Sequence, residues 1–404
     1  MKKFLLIILL FGTAAYANDS SRDLLVKTAE SNNRELKAMK LDIDAKDTMS
    51  LTAYLIPRTM FSYESMNNNI SRKDSMGDPV MKEKKYSVTQ EIPFPTTFAY
   101  GSKVKKMDIK IAELQYIKTF SEMKREITVM YNELVYMNNQ IKIMEDKHGE
   151  LTALVRFTEA KVKTGKASID ELIKGKVMAS MIEKELITMR SDKLVTENNL
   201  LKMLNVQKIP DDIEYSYTSD YMAESETSGQ LGVGSPDIKI LNAETEKLDR
   251  QESYAMAMTV PDLNLGFTLS LPDNGDVNYN YMIGVSVPLF FAFNELAESR
   301  AAGKMKAANK EIIASRLYEI DREINSLQLK IKKNKETIAL INDKLILDTR
   351  QALDLSLKNF RIDKAEVMSI LNTLTLFYDY SIEIEKAKFE IASDSARINY
   401  YLGR

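Results

Sequence analysis

Residues 262–290 read DLNLGFTLSLPDNGDVNYNYMIGVSVPLF. Leu263, Leu265, Phe267, Leu269 and Leu271 alternate with Asn264, Gly266, Thr268 and Ser270. After PDNGDVN the apolar side chains resume at Tyr279, Tyr281, Ile283, Val285, Val287 and Leu289, alternating with Asn280, Met282, Gly284 and Ser286. Successive side chains on a strand point to opposite faces, so this pattern predicts a two-stranded hairpin with one apolar and one small or polar face. The flanking sequence is dense in Lys, Glu, Leu, Ile and Met, which favour helix. Helices rich in charge offer little to cover a long apolar sheet face, and what covers it decides the fold.

The whole chain has 404 residues, with 56 basic against 58 acidic side chains, a net charge of −2. Such balance disfavours nucleic acid as a partner. Gly (14) and Pro (9) are sparse, as long uninterrupted helices require. There is no Cys, which excludes disulfides and thiolate chemistry. At the N-terminus, Lys2 and Lys3 precede the apolar run Phe4–Phe11 and the small-residue exit Ala15-Tyr16-Ala17. That is the pattern of a cleaved export signal over residues 1–17, and no Cys follows it to carry a lipid. No later stretch has the length of a transmembrane helix, but a transmembrane barrel needs only strands of about ten alternating residues.

The hairpin has a counterpart upstream. In 57–66, PRTMFSYESM, Thr59, Phe61, Tyr63 and Ser65 share one face; in 85–94, KYSVTQEIPF, Tyr86, Val88 and Ile92 do. Pro57 matches Pro261, and EIPFP (91–95) matches SVPLF (286–290). Helix-like segments precede the hairpins, at about 21–55 and 236–258. Long heptad seams follow them. One runs through Phe120, Ile127, Leu134, Ile141, His148, Val155 and Val162, interleaved with Met123, Met130, Met137, Met144 and Leu151. The other runs through Ile320, Leu327, Asn334, Ile341, Asp348 and Leu355, interleaved with Ile324, Ile331, Ile338, Leu345 and Ala352. Each predicts a coiled-coil-like helix of roughly 60 residues, about 90 Å long. Each seam ends in a turn and a return helix (about 169–205 and 366–402). In KTGKASIDEL (163–172), Gly165 suits a helix C-cap, and Ser168 with Glu171 a capping box. In RIDKAEVMSIL (361–371), Asp363 stands in the Gly165 place and Glu366 in the Ser168 place. The expected organisation is a signal at 1–17, a first repeat at 18–205, a connector at 206–234 and a second repeat at 235–404. Each repeat is helix, hairpin, long helix and return helix.

Four strands cannot close a barrel, and an open sheet with one apolar face invites aggregation. Several chains pooling their hairpins resolve both problems. Phe61, Tyr63, Leu265, Phe267, Leu269, Tyr281, Ile283 and Val285 then face lipid, and the polar face lines an aqueous lumen. The loop at 67–84 is expected to face outward.

Over its mature length the chain resembles the TolC family of bacterial outer-membrane efflux channels. The resemblance rests on the duplicated layout, the proline opening each hairpin, the strand endings QEIPFP and SVPLF, the two turn-and-return motifs, and YYLG at 400–403. QEIPFP leans toward the heavy-metal cation branch. The resemblance implies a mostly α protein with a small β part. It implies a homotrimer whose twelve strands form an outer-membrane β-barrel, continued by a periplasmic α-helical barrel. It further implies a periplasmic adaptor and an inner-membrane pump as partners, with no cofactor and no catalysis. Carried onto this chain, the adaptor-facing tip comprises Thr164, Gly165, Lys166, Ser168, Asp363, Lys364 and Glu366. Ser369 and Asn372 occupy the places where drug-exporting members carry narrowing carboxylates. Asp170 and Glu171, with Asp363 and Glu366, are the carboxylates left to form a cation-attracting mouth.

Other chemistry fits poorly. The 22 Met residues include Met123, Met130, Met137 and Met144, which lie about 10 Å apart along a helix, too far to share an ion and suited to packing. His148 is the only histidine, and with no Cys it leaves no ordinary zinc site or thiol nucleophile. TGKAS has Ala160 where a phosphate loop needs its first Gly, and Ser102–Lys105 is an isolated S-x-x-K. Two further readings stay open: a type I protein-secretion duct, and an exported coiled-coil fibre or adhesin, which explains the seams and leaves the hairpins unexplained.

Overall fold

The structure, a computed structural model, describes residues 21–54, 56–66, 83–210, 213, 215–217, 232–272, 276–290, 293–362 and 366–404. The expected signal segment, most of the 67–84 loop, and Asp363 and Lys364 lie outside these. The helices are α1 (Ser21–Asn32), α2 (Arg34–Ser50), α3 (Pro95–Lys163), α4 (Ile169–Leu204), α5 (Pro236–Ala257), α6 (Glu295–Leu340), α7 (Ile346–Arg361) and α8 (Val367–Leu402). The strands are β1 (Met60–Met66), β2 (Glu83–Ile92), β3 (Asp262–Pro272) and β4 (Asn278–Ser286).

α3 has 69 residues, about 100 Å of helix. Near the sheet, α2 and α5 pack against α3, and α6 packs against α5; farther away, α4 and α8 pack against α3, with α6 and then α7 against α8. The result is a wall one helix thick, not a globule. Its accessible surface is 26162 Å² for 46.0 kDa, where a compact chain of that mass would expose roughly 16,000 Å². Apolar contact is correspondingly split. One cluster joins α1, α2, α3 and α4 around Ile127, Leu134 and Leu200; another joins α5, α6 and α8 around Ile238 and Ile324; a third lies near the far end around Leu154, Phe360 and Leu371.

The first segment is not one helix over 21–55. Asn33 interrupts it, its side chain accepting the amides of Glu35 and Leu36 as the N-cap of α2, and a 3-10 turn follows at Leu51–Tyr54. The seams also need correction. In α3, Met123, Ile127, Leu134, Met144 and Leu151 are buried as the heptads predict. Beyond Met144 the buried line runs through Lys147, Leu151, Leu154, Thr158 and Lys161, one residue off the line through His148, Val155 and Val162. In the second seam Ile320, Ile324, Leu327, Asn334, Ile338 and Ile341 are buried, but Asp348, Ala352 and Leu355 are exposed, and Thr349, Leu353 and Phe360 are buried instead. The cause is a single π turn at Ile341–Leu345, which inserts one residue into the ladder. Met144 and Leu151 are seven residues apart, while Ile341 and Thr349 are eight.

Where the connector returns, Gly403 ends α8 with φ +71, and its neighbourhood leaves no room for a side chain: a Cβ there would lie 2.1 Å from the Gly234 carbonyl oxygen. Beside it Asp237, in the first turn of α5, accepts from Lys118 of α3 (2.7 Å) and Arg316 of α6 (2.7 Å). Burial alone would raise the Asp237 carboxyl, but the hydrogen bonds from Lys118 and Arg316 outweigh it and hold the pKa below its ordinary value. The stabilisation is therefore complete above the ordinary carboxylate range and is lost as pH falls through the depressed value. Asp237→Asn is expected to cost about 2 kcal/mol at neutral pH, the buried-pair figure discounted because both cations are more than a third exposed. Urea unfolding at pH 7 and at a pH below the depressed Asp237 value checks this: the difference between variant and wild type should shrink in acid.

Candidate functional site

Two regions carry the candidate residues, the sheet and the far end of the helices. The strand order is β1-β2-β3-β4, all antiparallel, so the two hairpins pair with each other through β2 and β3. Phe61, Val88, Phe267 and Tyr281 share one rung, and Tyr63, Tyr86, Leu269 and Tyr279 the next on that face. Leu265 with Ile283 and Leu263 with Val285 extend it. Cross-strand partners point to the same side, so one apolar face runs over all four strands. Tyr281 is 81% exposed, Ile283 79% and Phe61 77%; Tyr63, Leu265 and Val285 are exposed too, while Phe267 and Leu269 are half-buried under neighbouring rings. Phe267 lies 5.4 Å from Tyr281, and Tyr63 lies 5.1 Å from Tyr86. The opposite face carries Ser87, Thr89, Asn264, Thr268 and Asn280, with the Ser87 and Thr268 hydroxyls 3.0 Å apart. β1 and β4 each have one edge with no partner strand among the described residues.

At the far end, α3 closes through Gly165 at φ +71: the Lys166 amide donates to Lys161 O (2.9 Å) and that of Gly165 to Val162 O (3.0 Å). These two hydrogen bonds satisfy two orphan carbonyls and need the left-handed conformation that Gly adopts without a Cβ clash. Ser168 Oγ accepts the Asp170 amide (3.1 Å), and Glu171 Oε2 accepts the Ser168 amide (3.2 Å), the expected capping box. Thr164, Gly165, Lys166 and Ser168 are exposed. Asp170 pairs with Lys174 at 2.6 Å. Glu366 is the N-cap of α8 with no side-chain cap bond, and Ser369 and Asn372 lie on the exposed side of α8, away from buried Ile370, Leu371 and Leu374.

Two contacts at this end have no counterpart in the expectations. Glu171 Oε1 accepts the amide of Val367, the first residue of α8, at 3.3 Å. Lys161, 8% exposed, donates to the carbonyl of Phe360 in the last turn of α7. Its ammonium also lies 3.9 Å from the centre of the Phe360 ring. The second turn lacks Gly and Ser, and both of its flanks take their caps from the α3–α4 helix pair. No signal in the sequence marks these contacts, since heptad counting places Val162, not Lys161, on the apolar line.

No protein-family model and no curated protein matches the chain. Solved structures do. CusC aligns with TM-score 0.79 at 12% identity over 95% of this chain and 92% of its own; that structure describes conformational changes accompanying folding and transmembrane channel formation. The outer membrane protein VceC of Vibrio cholerae aligns with TM-score 0.77 at 15% identity, covering 95% of this chain and 96% of its own. The open state of the Neisseria gonorrhoeae MtrE outer membrane channel aligns with TM-score 0.76 at 12% identity, covering 95% and 89%. At these identities the shared property is the fold, and this chain has the fold of the TolC-type outer-membrane channels that its motifs resemble.

Proposed function

We propose that the chain is the outer-membrane exit duct of an export system. Three copies of the four-stranded sheet join β4 to β1 and close a twelve-stranded barrel, with their helical walls forming a periplasmic tunnel. Residues 18–205 and 235–404 act as two repeats joined at 206–234. The exposed tip meets a periplasmic adaptor, which links the duct to an inner-membrane pump. Cargo passes without chemical change and is selected by the pump; metal cations or small toxic compounds are the proposed class. The observation that carries this reading is the sheet, with one exposed apolar face in register across four strands and two edges that have no partner strand among the described residues.

Purified protein is expected to have the mass of a trimer in detergent and to conduct ions after reconstitution into a planar bilayer. A soluble, non-conducting rod would overturn the duct and leave the coiled-coil fibre.

A further inference from the structure

Midway along the helices, a groove of about 870 Å³ runs over α8 between α3 and α6. Six cationic side chains line it: Arg22 of α1, Lys124 and Arg125 of α3, Lys332 and Lys335 of α6, and Arg404 just past α8. Glu336 is the one carboxylate side chain among the described residues of the lining. The whole chain has 56 basic against 58 acidic residues, so the excess is local. Arg22 and Arg125 are partly neutralised by Asp23 (3.0 Å) and Glu126 (3.3 Å). Arg125 also lies 4.8 Å from the centre of the Tyr400 ring, and the Tyr400 hydroxyl donates to nearby Glu122 at 3.0 Å. Lys124, Lys332 and Arg404 are exposed and make no ion pair among the described residues.

The face on which the groove opens follows from α1. Leu25, Val26 and Ala29 are buried in one cluster with Ile127 of α3 and Leu200 of α4, so α1 lies over both helices as a second layer on the wall. Arg22 reaches the groove from that layer, which puts the groove on the layered face. In a duct this face is the outer one. Twelve helices spaced about 10 Å apart enclose a tube roughly 40 Å across at their axes, and a second layer inside it from each of three chains would fill much of the lumen. The walls of the groove all come from one chain, so it does not depend on a neighbouring copy.

We propose that this groove binds the acidic, peptide-bearing glycan of the cell wall and ties the duct to it. The proposal rests on the trimeric-duct reading. Arg125 lies about 45 Å of helix from Pro95, where α3 leaves the sheet, and about 55 Å from Lys163 at the far end. A tunnel that crosses the periplasm passes through the wall layer, and the groove sits on its mid-length. Anionic lipid headgroups lie at the level of the sheet, out of reach by that 45 Å. The wall's peptides present carboxylates repeatedly on a fixed scaffold, and a cleft lined by one sign of charge concentrates ions of the other. Three grooves around one tube can engage the same network, so weak single contacts add as avidity.

The test is co-sedimentation of the purified full chain, in detergent, with isolated cell-wall sacculi. One triple variant carries Lys124→Gln, Lys332→Gln and Arg404→Gln. A control triple removes the same charge from exposed lysines elsewhere on the wall, Lys142→Gln, Lys176→Gln and Lys184→Gln. Only variants that keep the wild-type mass are scored. Wild type and control are expected to sediment with sacculi at low salt and to be released at about 500 mM salt. The groove triple is expected to bind about tenfold more weakly, with unchanged conductance in a planar bilayer. Sacculi whose carboxylates have been amidated should hold none of the three. A conducting trimer that ignores sacculi, or equal binding by both triples, overturns the wall contact and leaves the duct standing. Binding to vesicles of anionic phospholipid but not to sacculi would assign the groove to lipid headgroups and overturn it too. A wild-type chain that is not a trimer by mass overturns the duct, and the outer-face placement of the groove with it.

Discussion

Ile283→Arg is expected to keep the chain out of the outer membrane, while Asn280→Arg, three residues away on the same strand, is expected to be tolerated. The two positions lie on opposite faces of β4. Ile283 sits on the rung with Leu265, is 79% exposed and lies near the middle of the strand; Asn280 pairs with Thr268 on the polar face. Arginine on the lipid face of a barrel costs about 2–4 kcal/mol at the bilayer midplane. Three copies would bear roughly 6–12 kcal/mol, comparable to the whole stability of an ordinary domain. On a lumen face the guanidinium stays hydrated and costs little. The measurement is the amount of trimer in outer-membrane fractions, with single-channel conductance for whatever inserts. A sheet that faces water would accept arginine on either face, so equal insertion of the two variants would sink the lipid-facing assignment and the duct with it.

The sheet was legible because period-two patterns carry their own face assignment. Leu265, Phe267 and Ile283 alternate with polar residues whatever the partner strand is, and any slip by one residue would bury Asn and Ser with Leu. The pairing of one hairpin with the other, through Val88 and Phe267, was not legible, because the alternation fixes each strand's faces but not which strand lies beside it. The first helix turn, like the alternation, was legible for a local reason: Gly165, Ser168 and Glu171 act on backbone groups within a few residues. The second seam was legible only as far as Ile341. Nothing in INDKL marks a π turn, and past it Thr349 takes the buried place that heptad counting gives to Asp348. The caps of the second turn were not legible at all, because Lys161 and Glu171 reach it across 199 and 196 residues of sequence. Contacts between repeats depend on how two hairpins lie side by side, and one-dimensional periodicity holds no information on that.

That cross-capping, a latch from the α3–α4 helix pair onto the second turn, makes the second turn depend on the first, and Glu171→Ala should show it. The carboxylate holds the Ser168 amide with one oxygen and the Val367 amide with the other. Loss of a helix cap costs about 1 kcal/mol, so amide exchange at Val367 should quicken roughly fivefold. Glu171→Gln keeps an acceptor oxygen and should fall between. Lys161→Met removes the donor to Phe360 at the other flank while retaining much of the apolar stem. The two changes act on one turn, so their effects should not simply add. In the double variant both flanks are released, and the second hairpin is free to move against the first. In the proposed trimer this happens at three places around one mouth, so channel conductance should rise with the exchange rate across the series wild type, single and double variants. Unchanged exchange at Val367 in Glu171→Ala would remove the latch. Faster exchange with unchanged conductance would keep the latch as a structural tie and show that the tip does not limit passage.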